Sequence, residues 1–487
     1  MRWREATEPV RMQRIAIAAP AARLRDVLVR VAAAGTVEVD RPGDHGPVDT
    51  AAGRAEQVLQ RMCADTRFEP RLSTATPDLA TLERDGRADL VAGEAELQSY
   101  AAGAVVRDEV AALAGWVPAG ELPALTTRLS EVGGAAVPLP RPRGVDPPTL
   151  LRVGGEVRRS FAPLVRTYGT VPYSDVDPTL PAGLAYVFMF GMMFGDVGHG
   201  CLLVCIGLML RMGRPARLAR FRPVWVFIVG AGVAATAFGL LYGEFFGPSD
   251  VVPVLWLAPL DEPVTLLSAG LGVGVVLLAG AYVVGTVNRW REGAWPLALS
   301  ASSGVAGAAL FAGLGLVVLA VATGLTWLVV GGALVALGGV VLTFLGFLMA
   351  GGGGAAGISQ ATVEVFDAVL RLGANVVSFA RLAAFGLTHA ALGLVVWQAT
   401  VSLWRSGGLL ILAAALVFVV GNALAFALEG LVAGIQALRL EYYELFSRVF
   451  TVEGRPFRPW HVPLDAPDHS DGAGPVAAPM PNPGSTP

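Results

Sequence analysis

VVSFARLAAFGLTHAALGLVVWQ, residues 376–398, decides how this chain folds and what it handles. Crossing a bilayer takes about 20 predominantly apolar residues, and this stretch has them. Yet Arg381 lies inside it, with His389 eight residues later. An arginine at the centre of a membrane helix costs about 2.5–3.5 kcal/mol on insertion scales. A chain keeps such a residue where it faces protein, water or an opposite charge, so the environment of Arg381 becomes the central question.

The rest of the sequence supports a membrane setting. Mean hydropathy is +0.58 over 487 residues and only 15% are charged, the pattern of a polytopic membrane protein and not of a large soluble core. The bias is uneven. Acidic and basic residues are at ordinary density up to about residue 180, and Leu, Val, Ala, Gly and Phe dominate beyond it. The expected division is a cytoplasmic α/β docking domain over 1–140, a Pro-rich linker over 141–180, a membrane domain over 181–455 and a disordered tail over 456–487. The net charge of -3 gives no reason to expect a nucleic-acid partner. All 36 basic residues are arginine, which fits high-GC bacterial coding and weakens any argument from arginine over lysine at the surface. The N-terminal stretch MRWREATEPVRMQR has no apolar core of a secretory signal. Cys201 and Cys205 stand one helical turn apart in an apolar run and read as small buried residues, not as a metal or disulfide pair.

The N-terminal part reads as two strand–helix–strand units. RIAIAA is a short strand, a helix follows with Leu24, Val27, Leu28 and Val31 on one face, Gly35 stops it, and TVEVD returns as a strand. The second unit is VAALAGWVP, ELPALTTRLSEV and AAVPL. Between them, residues 51–105 are Ala-, Glu- and Arg-rich and read as helical. Two small α/β lobes joined by helices are expected. No phosphate loop, metal spacing or nucleophile–base pair occurs in this region, so it reads as a docking module.

Residues 182–212 form an apolar run of about 31 residues, too long for one upright helix and short for two full spans. Gly195, Asp196, Gly198 and His199 interrupt it, which predicts a tight helical hairpin bending at GDVGHG. The Arg-rich loop at 211–222 belongs on the cytoplasmic side. Further spans are expected at 224–243, 264–287, 296–319 and 327–349. An interfacial segment carrying Glu364, Asp367 and Arg371 follows, then an outward span over 376–404 and a return over about 409–450. The sum is about eight membrane helices with both termini cytoplasmic. The last two are long, and the final one must tilt or leave the membrane.

Glu429, Gln436 and Arg439 share one stripe of the last helix, within about 80° and along about 15 Å at helical geometry. Arg381 and His389 are about 12 Å apart on the preceding helix by the same rise. Ladders of ionisable groups in membrane helices mark ion or proton paths. Plainer roles exist for each residue: Arg439 as a snorkelling anchor, Arg381 with Glu429 as a structural ion pair, His389 as a packing residue, Asp196 and His199 as caps of broken backbone. Their joint occurrence favours the path.

Four segments carry a resemblance: FGMMFGDVGHG at 190–200, FGLLYGEFFG at 238–247, SFARLAAFGLTHA at 378–390 and EGLVAGIQALRLEYYELFSRVF at 429–450. In that order they resemble the membrane subunit of rotary V-type and A-type ATPases, called a or I, the V-ATPase 116 kDa subunit family. AALAGWVP and LPRPRGVDPPTLL in the N-terminal part resemble it too, so the likeness covers about residues 10–460. It implies a non-catalytic stator half-channel subunit that carries protons, or sodium, against a rotating proteolipid c/K ring. It also implies contacts to peripheral stalk subunits of E/G type, a central-stalk d/C subunit, membrane lipid and, indirectly, the catalytic A/B subunits. Arg381 matches the family arginine that faces the ring carboxylate. Glu429, His389, Gln436 and Arg439 match polar channel residues, with Glu429 and His389 towards the outer half-channel. Glu364 and Asp367 are candidates for the inner one. No cofactor or metal is implied.

The chain departs from the family in one respect. Only about 60 residues, without sustained heptads, separate the two α/β units, where the family carries a long coiled-coil arm. Two other classes remain as alternatives: a secondary transporter with an Arg/Glu solute site, and a structural membrane anchor. The transporter predicts inverted repeats, and this sequence has one broken hairpin without a second copy.

Overall fold

The computed structural model describes residues 8–40, 53–62, 69–142, 144–152, 154–213, 216–292, 299, 303–350, 354–450 and 453–465. They form two compact units, one of Arg11–Pro148 with the segment from Phe457, the other centred on Thr149–Pro456.

In the first unit, β1 (Met12–Pro20) alternates so that Ile15, Ile17 and Ala19 point into the core, the period of two that a half-buried strand requires. α1 (Leu24–Ala34) covers it with Val27, Leu28 and Val31, and Gly35 at φ 59° ends the helix in the left-handed conformation that glycine takes without penalty. β2 (Glu38–Val39), β3 (Val105–Arg107), β4 (Val110–Pro118) and β5 (Ala135–Pro138) follow, with α2 (Arg54–Met62), α3 (Leu79–Arg84) and α4 (Ala88–Ala102) before β3 and α5 (Leu122–Ser130) before β5. The sheet order is β2-β4-β1-β5, with β3 paired to β4 and every pairing antiparallel. The two strand–helix–strand units therefore interlock in one sheet instead of standing as two lobes. Their strands are short and apolar, and each buries its edge by pairing with the other unit.

The expected tail from 456 is corrected for residues 456–465. Trp460 is buried and stacks 4.4 Å from Tyr100, its backbone N–H donates to Val37 O at 2.8 Å, and Leu72 N–H donates to Pro463 O at 3.0 Å. Asp465 lies 3.1 Å from Arg87 and 3.6 Å from Arg71. Three of these ten residues are proline, but Trp460, Val462 and Leu464 supply the apolar surface that orders the segment. Residues 466–487 lie outside the described ones.

The second unit is helical: α6 (Gly155–Tyr168), α7 (Thr179–Met193), α8 (Val197–Arg211), α9 (Trp225–Tyr242), α10 (Pro263–Arg291), α11 (Val305–Thr323), α12 (Thr326–Ala350), α13 (Gly354–Ser378), α14 (Ala380–Ser406) and α15 (Leu410–Leu440). Among the described residues six helices are long and apolar enough to cross a membrane, and α7 and α8 are shorter apolar helices. This is a multi-pass membrane protein. α13 and α14 run on from one another with a break only at Phe379, so the expected interfacial segment is the first part of a 53-residue helical run. α15 continues through a π-helical turn, Glu441–Phe446, to Val449. Cys201 and Cys205 are exposed on the outer face of α8, not buried. An apolar helix facing lipid presents apolar side chains outward, so hydrophobicity there does not report burial.

One close approach lies two residues before Arg381. Phe379 is fully buried, and a Cβ on Gly274 of α10 would lie 2.4 Å from its ring. A glycine is what admits that ring between the two helices.

Candidate functional site

Two groups of ionisable residues lie along the bundle. The first is built at the hairpin. A Cβ on Gly195 would sit 2.7 Å from the Tyr242 ring, and one on Gly198 would sit 2.5 Å from Phe246, so glycine lets the bend fold down on the end of α9. Asp196 caps α8: one carboxylate oxygen accepts from His199 N–H at 2.8 Å. The other accepts from Gly247 N–H at 2.7 Å. Gly247, at φ 94°, touches Gly393 on α14, where a Cβ would meet backbone at 2.7 Å. The hairpin is thereby tied to the exit of α9, and that exit to α14 one turn beyond His389.

His389 and His199 then face each other, ring centroids 5.6 Å apart, with the Phe194 ring 4.9 Å from His389 and 5.6 Å from His199. His389 Nδ1 pairs with the Glu429 carboxylate of α15. Glu244, from the YGEFFG segment, is buried, and among the described residues neither of its carboxylate oxygens has a hydrogen-bond partner. Asn422 of α15 completes the ring of polar side chains beside His199. The five titratable groups, all buried or nearly so, come from four stretches far apart in sequence. Such a set can pass a proton between neighbours, since imidazole both donates and accepts and carboxylates accept.

The second group surrounds Arg381. Its Nε–H donates to Ser378 O at 3.1 Å, and Nη2 lies 3.3 Å from Glu444 Oε1. Nη1 has no hydrogen-bond partner among the described residues. Arg439 acts on it electrostatically from α15, and is itself exposed. Gln436 is half-buried, and its side-chain oxygen has no partner among the described residues. The neighbouring Glu441 is buried and borders a cavity of about 190 Å³ lined by Pro178, Ala182, Val276 and Leu445.

The sequence-predicted residues divide accordingly. Asp196, His199, His389 and Glu429 come together, with Gly195 and Gly198 in the bend that the sequence assigns them. The anticipated alternative of an Arg381–Glu429 ion pair is not what forms: Glu429 pairs with His389 and Arg381 with Glu444. Asp367 pairs with Arg371 on the surface of α13, half-exposed, and no contact joins it or Glu364 to Arg381 among the described residues. Glu244, Glu441 and Glu444 were missed as site residues. At 100° per residue Glu444 falls about 60° to the other side of Glu429 from Gln436 and Arg439. The π-helical turn re-sets the register there, which no uniform helical wheel shows.

A bundle of apolar helices that encloses buried carboxylates and histidines and a half-buried arginine in two groups defines a class: multi-pass membrane proteins built around an ionisable interior. The sequence model of the V-type ATPase 116kDa subunit family matches residues 103–250, spanning β4, the hairpin and α9. Similar proteins include the A-type ATP synthase subunit I of Aeropyrum pernix, 26% identical over 386 residues, covering 68% of this chain and 52% of that one. That of Pyrococcus horikoshii is 26% identical over 389 residues, covering 76% and 57%. The V-type ATP synthase subunit I 2 of Treponema pallidum is 35% identical over 170 residues, covering 32% and 36%. Over residues 103–250 the chain thus matches the V-type ATPase 116kDa subunit family, and over a longer stretch it is similar to A-type ATP synthase subunit I. It spans little more than half the length of the first two relatives.

Proposed function

We propose that this chain is the stator half-channel subunit of a rotary V/A-type ATPase, non-catalytic itself, carrying protons or sodium across a cell membrane against a proteolipid c/K ring. The observation that carries the proposal is the position of Arg381. It lies between two ionisable groups, with Glu444 on one side along the bundle and His389–Glu429 about two helical turns away on the other. In this reading the hairpin bend and the loop after α9, which has no basic residue from 244 to 262, face outward. The helices number about eight and both termini are cytoplasmic. Asp196, His199, Glu244, His389 and Glu429 then form the outer path, while Glu441 and Glu444 lie at the inner end.

Arg381 works by its permanent charge. A cation beside a carboxylate favours the ionised form, so a ring carboxylate arriving next to it gives up its proton. Arginine remains charged even when partly desolvated, and blocks direct passage between the two paths. Gln436 and Arg439 line the same face. Peripheral stalk subunits of E/G type and a central-stalk d/C subunit complete the assembly, with the catalytic A/B subunits coupled through them and lipid around the helices. Arg381→Ala and Arg381→Gln tests the reading: near-complete loss of ATP-driven ion uptake by vesicles is expected, with the subunit still co-purifying with its complex. Uptake at the unmodified level would overturn it.

A further inference from the structure

Asp196, His199 and His389 do more than line a path. Each brings one donor atom within 4.8 Å of the other two, and all three are buried. Two imidazoles and a carboxylate are the donor set that suits zinc and other borderline divalent ions, whereas magnesium and calcium call for oxygen alone. His389 is held as a metal-ligating histidine is held: Nδ1 engages the Glu429 carboxylate, which fixes the ring and leaves Nε2 as the donor. Asp196 is anchored by two backbone N–H groups, and its remaining lone pairs are free to ligate. A second observation points the same way. Glu244 is 2% exposed, and among the described residues both its oxygens lack a hydrogen-bond partner; both ring nitrogens of His199 also lack hydrogen-bond geometry, Nδ1 lying 3.6 Å from Asp196 Oδ1. Buried, unpartnered acceptors of this kind are rare in a packed interior because each carries a desolvation cost.

We propose that Asp196, His199 and His389 form a binding site for a divalent transition-metal cation of the zinc class. A tetrahedral zinc shell spaces its donors about 3.3 Å apart, so side-chain rotations draw the three together around the ion. The ion enters past Glu429, whose side chain is 13% exposed. The inhibitory consequence rests on the outer-path reading: a bound cation takes up the lone pairs of the groups that would relay protons, and so halts translocation.

The test is zinc and cobalt titration of the full chain purified in detergent without a polyhistidine tag, read by calorimetry and by the visible absorption of bound cobalt. One equivalent per chain is expected, with Kd of about 10 μM or tighter. His199→Gln and Asp196→Asn should each weaken binding by at least tenfold, and Cys201→Ser with Cys205→Ser should leave it unchanged. Absence of stoichiometric binding, binding indifferent to His199→Gln, or loss in the cysteine variant overturns the site. The assembled complex in vesicles separates the two readings. Zinc inhibition of the unmodified complex, half-maximal near the Kd read by calorimetry, upholds both. Stoichiometric zinc binding with unimpaired uptake upholds the site and overturns the outer path.

Discussion

The hairpin group and the Arg381 group differ in how they are made. Around Arg381, two helices adjacent in sequence supply the chemistry, α14 giving the arginine and the continuation of α15 giving Glu444 at 3.3 Å. Arg381 keeps 22% of its side-chain surface exposed. At the hairpin, four separate stretches converge, Asp196 is fully buried and His199 is 2% exposed. A site shared by two neighbours can adjust by sliding. A site tied through the Asp196–Gly247 bond and the Gly247–Gly393 contact cannot, so substitution should cost the fold more at the hairpin than at Arg381.

The sharpest way to break this contrast is Asp196→Ala. It removes an N-cap, worth about 1 kcal/mol, and a charge-assisted bond to Gly247 N–H, worth about 1.5–3 kcal/mol. A loss of about 2–4 kcal/mol is expected, seen as a lowered midpoint in thermal unfolding of the detergent-solubilised chain, with Asp196→Asn intermediate. An unchanged midpoint would mean the hairpin is not tied as described. Next is Gly274→Ala. Its Cβ would press into the Phe379 ring, and overpacking of this kind costs about 1–3 kcal/mol. Phe379 is two residues from Arg381, so uptake should fall along with stability; a fall in stability alone would show that Arg381 is positioned from elsewhere. Glu444→Gln has a smaller effect on the fold. Breaking a fully buried pair costs about 3–5 kcal/mol, and exposure of Arg381 reduces this well below that figure. Uptake should drop about tenfold, with partial recovery in Glu444→Asp. Full uptake by Glu444→Gln would leave the pair incidental.

The same contrast explains what was legible in the sequence. Arg381, His389 and Glu429 were visible because a charge in an apolar run is conspicuous by itself. Asp196 and His199 were visible as a break in a run too long for one helix. That the break lands on His389 was not legible, because it depends on Gly247 against Gly393, a contact between two glycines 146 positions apart in the chain. Glu444 was hidden by the π-helical turn, and Glu244 by its place at a helix end, where a polar residue is unremarkable. The soluble unit repeats the lesson: each strand–helix–strand segment was readable from its period, while their interlocking in one sheet rests on long-range pairing such as Ile15 with Gly115. Trp460 was overlooked because the surrounding composition is that of a tail.

A third buried carboxylate sharpens the comparison from outside the membrane helices. Asp175, in the segment before α7, is fully buried, and burial, with Glu292 nearby, pushes its pKa up to about 6. Arg289 and Arg291 oppose the shift without cancelling it. Among the described residues it has no pair of backbone N–H donors such as Asp196 has, and one of its oxygens has no partner. A carboxyl whose pKa is raised on folding binds its proton more tightly in the native state. Its contribution to stability is therefore complete below about pH 4, its ordinary range, and is lost as pH rises through about 6. Asp175→Asn should match the unmodified chain at pH 4 and exceed it at pH 8, by on the order of 1 kcal/mol once solvent relaxation is allowed for. Unfolding midpoints of the two proteins at both pH values decide it: a neutral effect at pH 8 would mean that Arg289 and Arg291 satisfy the charge, placing Asp175 with Asp196 among the carboxylates that the fold is built to hold ionised.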